Sequence, residues 1–386
     1  MLAAQITNVD GGFCMNIGIL TFHRANNYGA VLQNYALQNT LIINGFRAVT
    51  IDYRSNDIEK WYHIKIIEKN GNIFFRIIRT ILNFYKYGQL KKRQTAFDIF
   101  RRDMLLISKS VNRENIKQLE NDFDIFICGS DQIWNESIVA SEDRAVYSLG
   151  FVKHSYKASY AASAGETNNI SDDLIYQISH LNYVTVREKT LSAFLKKRGI
   201  LSTIVCDPVF LMTKSDWATK IKDLLPQNTK KPYLFLYYVD SRRKESCKIA
   251  RYIAHNRRLK IIYPTVKCKD TIAIGRCVYG DGPLEFISDI ANAHFVVASS
   301  FHAVAFSIIF HKEFVAILHA TTGERVKDLL EKVGLQERII SNLDDLKNRE
   351  NSFDIIDYEK VDLILSDWRK DSLSELYRIC DQMTKR

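Results

Sequence analysis

Apolar residues fall along this chain in two alternating rhythms. Short runs rich in β-branched and aromatic residues stand at Asn16–Phe22, Arg47–Tyr53, Asp122–Cys128, Lys157–Ala162, Tyr183–Val186 and Ile204–Cys206. Such runs predict buried strands. Longer stretches between them carry apolar residues at helical spacing. Residues 30–44 are ended by Gly45, and Ser171–Leu181 is capped by Ser171. Another helix opens at Arg187-Glu188-Lys189 and ends in Lys196-Lys197-Arg198-Gly199. Late basic residues followed by glycine suit a helix end.

The rhythm returns after residue 232. Strands are predicted at Tyr233–Val239, Lys260–Val266, Arg276–Tyr279, His294–Ala298 and Phe314–Leu318, and helices at Ser241–Arg257, Ala303–Phe310 and Glu324–Val333. A further helix starts at Pro283, where a proline fits the first turn. This alternation predicts an α/β fold with two Rossmann-like, doubly wound domains. Their expected limits are 15–211 and 232–345, with the helices of 346–386 packing back. No GxGxxG follows the first strand, so a dinucleotide site is not indicated.

Residues 56–120 interrupt the first domain. Within them, Phe74–Arg102 holds eight Lys or Arg against one Asp, and that +7 is most of the chain's net +10. Phe74, Phe75, Phe84, Tyr85, Tyr87, Phe97 and Phe100 interleave with these charges. One expectation is contact with an anionic membrane surface or a lipid-diphosphate acceptor. The plainer alternative is a solvated helical pair packed on the domain. No recognisable nucleic-acid motif accompanies the charge, so nucleic acid is not expected as a partner.

Composition adds little beyond this. The chain is 46% hydrophobic and 25% charged, ordinary for a globular protein. No apolar run reaches membrane-span length. The first fourteen residues lack the basic start and apolar core of a secretory leader. Seven cysteines without CxxC spacing read as reduced thiols of a cytoplasmic protein. Histidines and acids are scattered, so no metal site is expected, and no cofactor is called for.

Candidate chemistry lies where predicted strands end. His302 follows the strand His294–Ala298, with Ser299 and Ser300 as N-cap types before it. Ligands of open parallel sheets bind at such carboxyl ends, and a helix start favours an anion there. A histidine so placed can move protons beside a bound phosphate or carboxylate; the alternative is a capping or core histidine. Arg187 and Arg325 are expected in the first turns of helices, where a cation is costly without an anion beside it. Ion pairs with Glu188 and Glu324 are the plainer account. The loop Gly129-Ser130-Asp131-Gln132-Ile133-Trp134-Asn135 carries residues suited to a sugar, or is a hinge.

The ordered motifs resemble the polysaccharide pyruvyl transferase family. They are Thr21 with Asn27-Tyr28-Gly29-Ala30-Val31-Leu32-Gln33, then Gly129–Asn135, Ser159–Gly165, Arg187-Glu188, Asp207-Pro208 and Ser299–Ala303. The resemblance implies two glycosyltransferase-B-like domains facing a cleft. It implies phosphoenolpyruvate as donor, and a saccharide acceptor of a surface or capsular polysaccharide, lipid-linked where the basic stretch engages it. The product would be a pyruvate ketal. On this reading His302 is the catalytic acid/base. Arg187, Arg325, Ser299 and Ser300 hold the donor, and Asn27, Tyr28, Asp131, Gln132 and Trp134 face the acceptor. Family members usually carry Arg two residues before the histidine, and Ser300 stands there instead. The rival readings are a nucleotide-sugar glycosyltransferase on the same scaffold and a non-catalytic scaffold protein. The expected location is the cytoplasm, with peripheral contact at the inner face of the membrane.

Overall fold

The computed structural model describes residues 15–55, 72–165, 167, 170–224, 231–238, 242–264, 275–278, 280–318, 323–349 and 355–381. Expectations on residues 1–14, 56–71 and 319–322, and on the side chains of Phe74, Phe75, Phe84 and Tyr85, lie outside the described set.

Seven strands form the first sheet: β1 Asn16–Leu20, β2 Arg47–Tyr53, β3 Ile107–Val111, β4 Ile125–Asp131, β5 Tyr156–Ala162, β6 Tyr183–Val186 and β7 Thr203–Ile204. Their order is β3-β2-β1-β4-β5-β6-β7, and every pair is parallel. The second sheet holds β8 Tyr233–Tyr237, β9 Lys260–Tyr263, β10 Arg276–Cys277, β11 Phe295–Ala298 and β12 Phe314–Ala316. It is also all parallel, in the order β10-β9-β8-β11-β12. Sheets of this kind are covered by helices on both faces, so their strands read as continuous apolar runs. Four-residue β11, FVVA, is buried at every position.

Each sheet reverses its winding once, between β1 and β4 in the first and between β8 and β11 in the second. In open α/β sheets such a switch point opens a crevice at the strands' carboxyl ends. The two crevices face each other, giving two Rossmann-like domains in a glycosyltransferase-B-like arrangement.

β3 was not expected. Its sequence ISKSV is half polar and partly exposed, so it lacks the apolar run of a central strand. The basic stretch is not a helical pair but one helix, Ile73–Met104, of 32 residues. Part of its charge is spent on packing. The Arg93 guanidinium lies 4.3 Å from the Tyr28 ring centre and 5.1 Å from that of Phe97. Arg101 is buried and donates to Asp98 and Asn26.

The two domains meet along the Tyr28–Ile43 helix. Thirteen of its sixteen residues are buried, so it has no solvent face and serves both sides. Tyr28 stacks on Phe286 of the second domain, rings 4.3 Å apart and 7° from parallel. A pair of this kind adds about 0.5–1.5 kcal/mol beyond its burial. The Tyr358–Asp381 helix returns to the first domain. There the Ser372 hydroxyl accepts from the Cys206 N–H at 2.9 Å, and Arg369 Nε donates to the Phe210 carbonyl at 2.6 Å.

Candidate active site

A cavity of about 370 Å³ lies between the two switch points. Asn27, Tyr28 and Gly29 enter it after β1, and Asp131, Gln132 and Asn135 after β4. From the second domain come Tyr237 at the end of β8, then Ser299, Ser300, Phe301 and His302 after β11, and Gly323 and Arg325 after β12.

Local sequence builds each wall. Asn27 caps the first helix by accepting the Ala30 N–H, and Ser300 caps Phe301–Ile309 by accepting that of Ala303 at 3.2 Å. The Glu324–Val333 helix starts at Gly323 without a side-chain cap. Three helix starts therefore open on one space, each with free N–H groups and the positive end of its dipole. The loop after β4 is held from below. Thr21 Oγ1 donates to the Ser130 carbonyl at 3.1 Å, and Gln33 accepts the Ser130 N–H at 3.2 Å. Asp131 adopts a left-handed backbone, φ 71°. Non-glycine residues hold such a conformation only where their surroundings over-determine it, which concentrates at functional sites.

His302 is 9% exposed and reaches across to the first domain. Its ring fills the space beside Gly29, where a Cβ would lie 1.9 Å from Nδ1. Glycine is the residue that lets the two domains close on this histidine. The ring's other nitrogen, Nε2, stands 3.5 Å from Asp207 Oδ2. It has no hydrogen-bond partner among the described residues.

The two arginines are placed differently. Arg325 lines the cavity, and the Gln132 side-chain amide lies against Nη1 and Nη2 at 2.9 and 2.5 Å, where only its oxygen can accept from the guanidinium. Nε has no partner. Burial, and then the like charge of Arg187, bring the Arg325 pKa down to about 10. Arg187 does not line the cavity. It lies behind Phe301, 4.7 Å from that ring, donating to Asp207 Oδ2 at 2.5 Å and to Glu188 Oε1 at 3.2 Å. Burial would lower its pKa, but Glu188, Asp207 and Asp131 outweigh burial and raise it. It is also not in a helix's first turn, because Glu188 is the cap residue of Lys189–Lys197.

Asp207, in the Asp207-Pro208 motif, has no role on sequence alone; in the structure it has one. It is wholly buried and gathers Arg187, His302, Ser130 Oγ at 3.5 Å and the Val209 N–H at 3.1 Å. Burial alone would push its carboxyl up; His302, Arg187 and the Val209 N–H outweigh it and hold the group well below the usual carboxylate range. Its place directly after a strand and before a proline was the available signal. Trp134 departs from expectation the other way. At 1% exposure it is part of the first domain's core, because a large apolar ring beside a tight turn gains more from burial than from solvent. Ser299, Ser300, Asn27, Tyr28, Asp131 and Gln132 all stand in the cavity wall.

The polysaccharide pyruvyl transferase family model matches residues 27–321, most of the chain and the cavity wall from Asn27 to His302. The chain belongs to the polysaccharide pyruvyl transferase family. It is a transferase of polysaccharide biosynthesis. No protein of curated function matches its sequence. Among solved structures, it resembles UDP-GlcNAc 2-epimerase from Neisseria meningitidis bound to UDP-GlcNAc, with TM-score 0.52 and 9% identity over 94% of this chain and 99% of that one. The Methanocaldococcus jannaschii UDP-GlcNAc 2-epimerase in complex with UDP-GlcNAc and UDP gives 0.50 and 12%, over 91% and 92%. A Thermobaculum terrenum O-GlcNAc transferase variant gives 0.50 and 10%, over 96% and 67%. At these identities the likeness is one of fold. Among the described residues no helix is long and apolar enough to cross a membrane.

Proposed function

We propose that this pyruvyl transferase family member moves the enolpyruvyl carbon of phosphoenolpyruvate onto two hydroxyls of a saccharide, releasing phosphate and leaving a pyruvate ketal. The observation that carries this is the convergence of three helix starts, Arg325 and His302 on one interdomain cavity. A small donor with a phosphate and a carboxylate needs such a concentration of N–H groups and positive charge. The chemistry also needs a proton for the methylene carbon of the donor. His302 supplies it, and takes up the proton of an attacking hydroxyl. One hydroxyl adds to the central carbon, phosphate leaves, and the second hydroxyl closes the ring. Arg325 and the helix starts hold the anionic groups, with Ser299 and Ser300 beside them. Asn27, Tyr28, Asp131 and Gln132 face the acceptor.

Incubation with phosphoenolpyruvate and candidate glycans, lipid-linked ones included, tests the reading through phosphate release and a mass increase on the glycan. His302→Ala should cut turnover roughly 10²- to 10⁴-fold while donor binding survives. Binding of a nucleotide sugar with no binding of phosphoenolpyruvate would move the glycosyltransferase reading ahead. We also propose peripheral contact with an anionic membrane through the Ile73–Met104 helix. Exposed Lys91, Lys92, Ile73, Ile77 and Ile99 support it, each lysine adding on the order of 1 kcal/mol. Vesicle co-sedimentation that is unchanged by Lys91→Gln with Lys92→Gln would count against it.

A further inference from the structure

We infer that Asp207 fixes the orientation and tautomer of His302, and that Arg187 serves the reaction through Asp207 and not by touching the ligand. This rests on the reading of His302 as the proton-transfer residue. The two nitrogens of its ring have different surroundings. Nδ1 lies on the side of Gly29, which lines the cavity with Tyr28 and Asn27. Nε2 points the other way, to Asp207 Oδ2 at 3.5 Å. Asp207 is itself wholly buried and does not line the cavity. Nδ1 is therefore the nitrogen on the cavity side, beside Gly29, and Nε2 is the one that faces the buried carboxylate.

The anchor is built. Asp207 Oδ1 accepts the Val209 N–H at 3.1 Å, and Oδ2 accepts from Arg187 Nη1 at 2.5 Å. An ionised carboxylate can only accept, so the ring nitrogen facing it must carry a proton. That leaves Nδ1 free to take or give one. The 3.5 Å separation is loose for a hydrogen bond, and catalytic contacts of this kind tighten once the ligand is bound. When the ring gains its second proton, Asp207 stabilises the positive charge, as a buried carboxylate does behind a catalytic histidine. Arg187 completes the device. One arm is taken by Asp207 and its Nε by Glu188, and its face lies on Phe301. It stops Asp207 from rotating and offsets part of the charge of the two carboxylates.

Nitrogen-15 NMR of the full chain, labelled at histidine, reads the tautomer directly. The His302 signals are identified by their loss in His302→Gln. In the wild type, Nε2 should be protonated and Nδ1 bare. Asp207→Asn should shift the ring toward the other tautomer, and cut turnover with phosphoenolpyruvate roughly 10²- to 10⁴-fold. Its phosphoenolpyruvate Kd should stay within roughly threefold, since only a step after binding is affected. A wild-type ring protonated at Nδ1 with Nε2 bare overturns the inference, even if Asp207→Asn does not fold. So does an unchanged tautomer in a folded Asp207→Asn. Arg187→Lys supplies a second measurement: turnover should fall with Kd unchanged, and a weakened Kd with unchanged turnover would return Arg187 to the ligand. Failure of the wild type to bind phosphoenolpyruvate sinks the donor reading alone, because the tautomer is measured without substrate.

Discussion

Arg187 and Arg325 bring cations to strand-to-helix turns on opposite sides of one cleft. Around Arg187 the protein supplies two buried carboxylates, Asp207 and Glu188, and a phenyl ring. Around Arg325 it supplies a neutral amide and sets the like charge of Arg187 nearby; among the described residues one nitrogen of each guanidinium, Arg325 Nε and Arg187 Nη2, has no partner. Both side chains are cations near a helix start, yet one is neutralised within the fold and the other is not. A half-buried charge with no carboxylate bonded to it among the described residues is costly, and an anionic ligand can offset that cost. On the proposed function, Arg325 is the cation left for the donor's anion, and Arg187 is held by the protein's own carboxylates.

The largest effect expected from this contrast is on stability. Arg187→Met strands Asp207 and Glu188, and breaking a buried pair in this way costs about 3–5 kcal/mol. Arg325→Met removes a charge that is bonded to no carboxylate among the described residues and should leave the empty protein as stable or more so. Urea unfolding of both variants, without ligand, measures the difference. The opposite ranking would break the contrast outright. Acid should narrow the gap. The folded-state carboxyl of Asp207 is depressed, so its stabilising contribution is present above its unfolded value, about 4, and disappears as pH falls through the folded value. The two variants should thus differ less below that pH than at neutrality.

The next effect is on binding. Arg325→Met should weaken phosphoenolpyruvate by about 1.5–3 kcal/mol, the usual worth of a hydrogen bond to a charged group, or roughly 10- to 100-fold in Kd. Inorganic phosphate should raise the melting temperature of the wild type and have little effect on this variant. Equal stabilisation of the two by phosphate would mean that the helix starts alone hold the anion.

Much of this layout could be read from the chain before its fold was known. Strands such as Phe295–Ala298 and Ile125–Asp131 are apolar because both faces of a parallel sheet are covered. The strand-end rule then drew attention to Ser299–His302 and Gly129–Asn135. β3 escaped because an edge strand need not be apolar. Arg187 illustrates a different limit. Adjacency in sequence suggests its pairing with Glu188, but its shorter bond is to Asp207, twenty residues away in sequence. Spacing along the chain says nothing about which side chains cross from one strand end to the next. Trp134 shows the converse: residue type suggested a sugar platform, and the core took the ring. Gly29 was visible only as a motif letter. Its reason, a histidine from the other domain lying against it, exists only in three dimensions.

The smallest expected effect concerns Ser300 and sharpens the contrast from the second domain's side. Ser300 stands at the helix start before His302, with its hydroxyl oxygen already accepting the Ala303 N–H. A cation at this position would oppose the helix dipole, as Arg325 does on its own helix. A hydroxyl opposes nothing and can still donate one neutral hydrogen bond into the cavity. Ser300→Ala loses both the cap and that donor, and capping losses run to about 0.5–2 kcal/mol. Ser300→Gly keeps most of the capping stability, within a few tenths of a kcal/mol, and loses the hydroxyl alone. The two variants therefore separate folding from binding. If Arg325 supplies the donor's main charge contact, Ser300→Ala should be less stable than Ser300→Gly. Both should weaken phosphoenolpyruvate by no more than about 1 kcal/mol, roughly fivefold. A loss of a hundredfold in Ser300→Gly would place the principal anion contact at this helix start and demote Arg325 to a bystander.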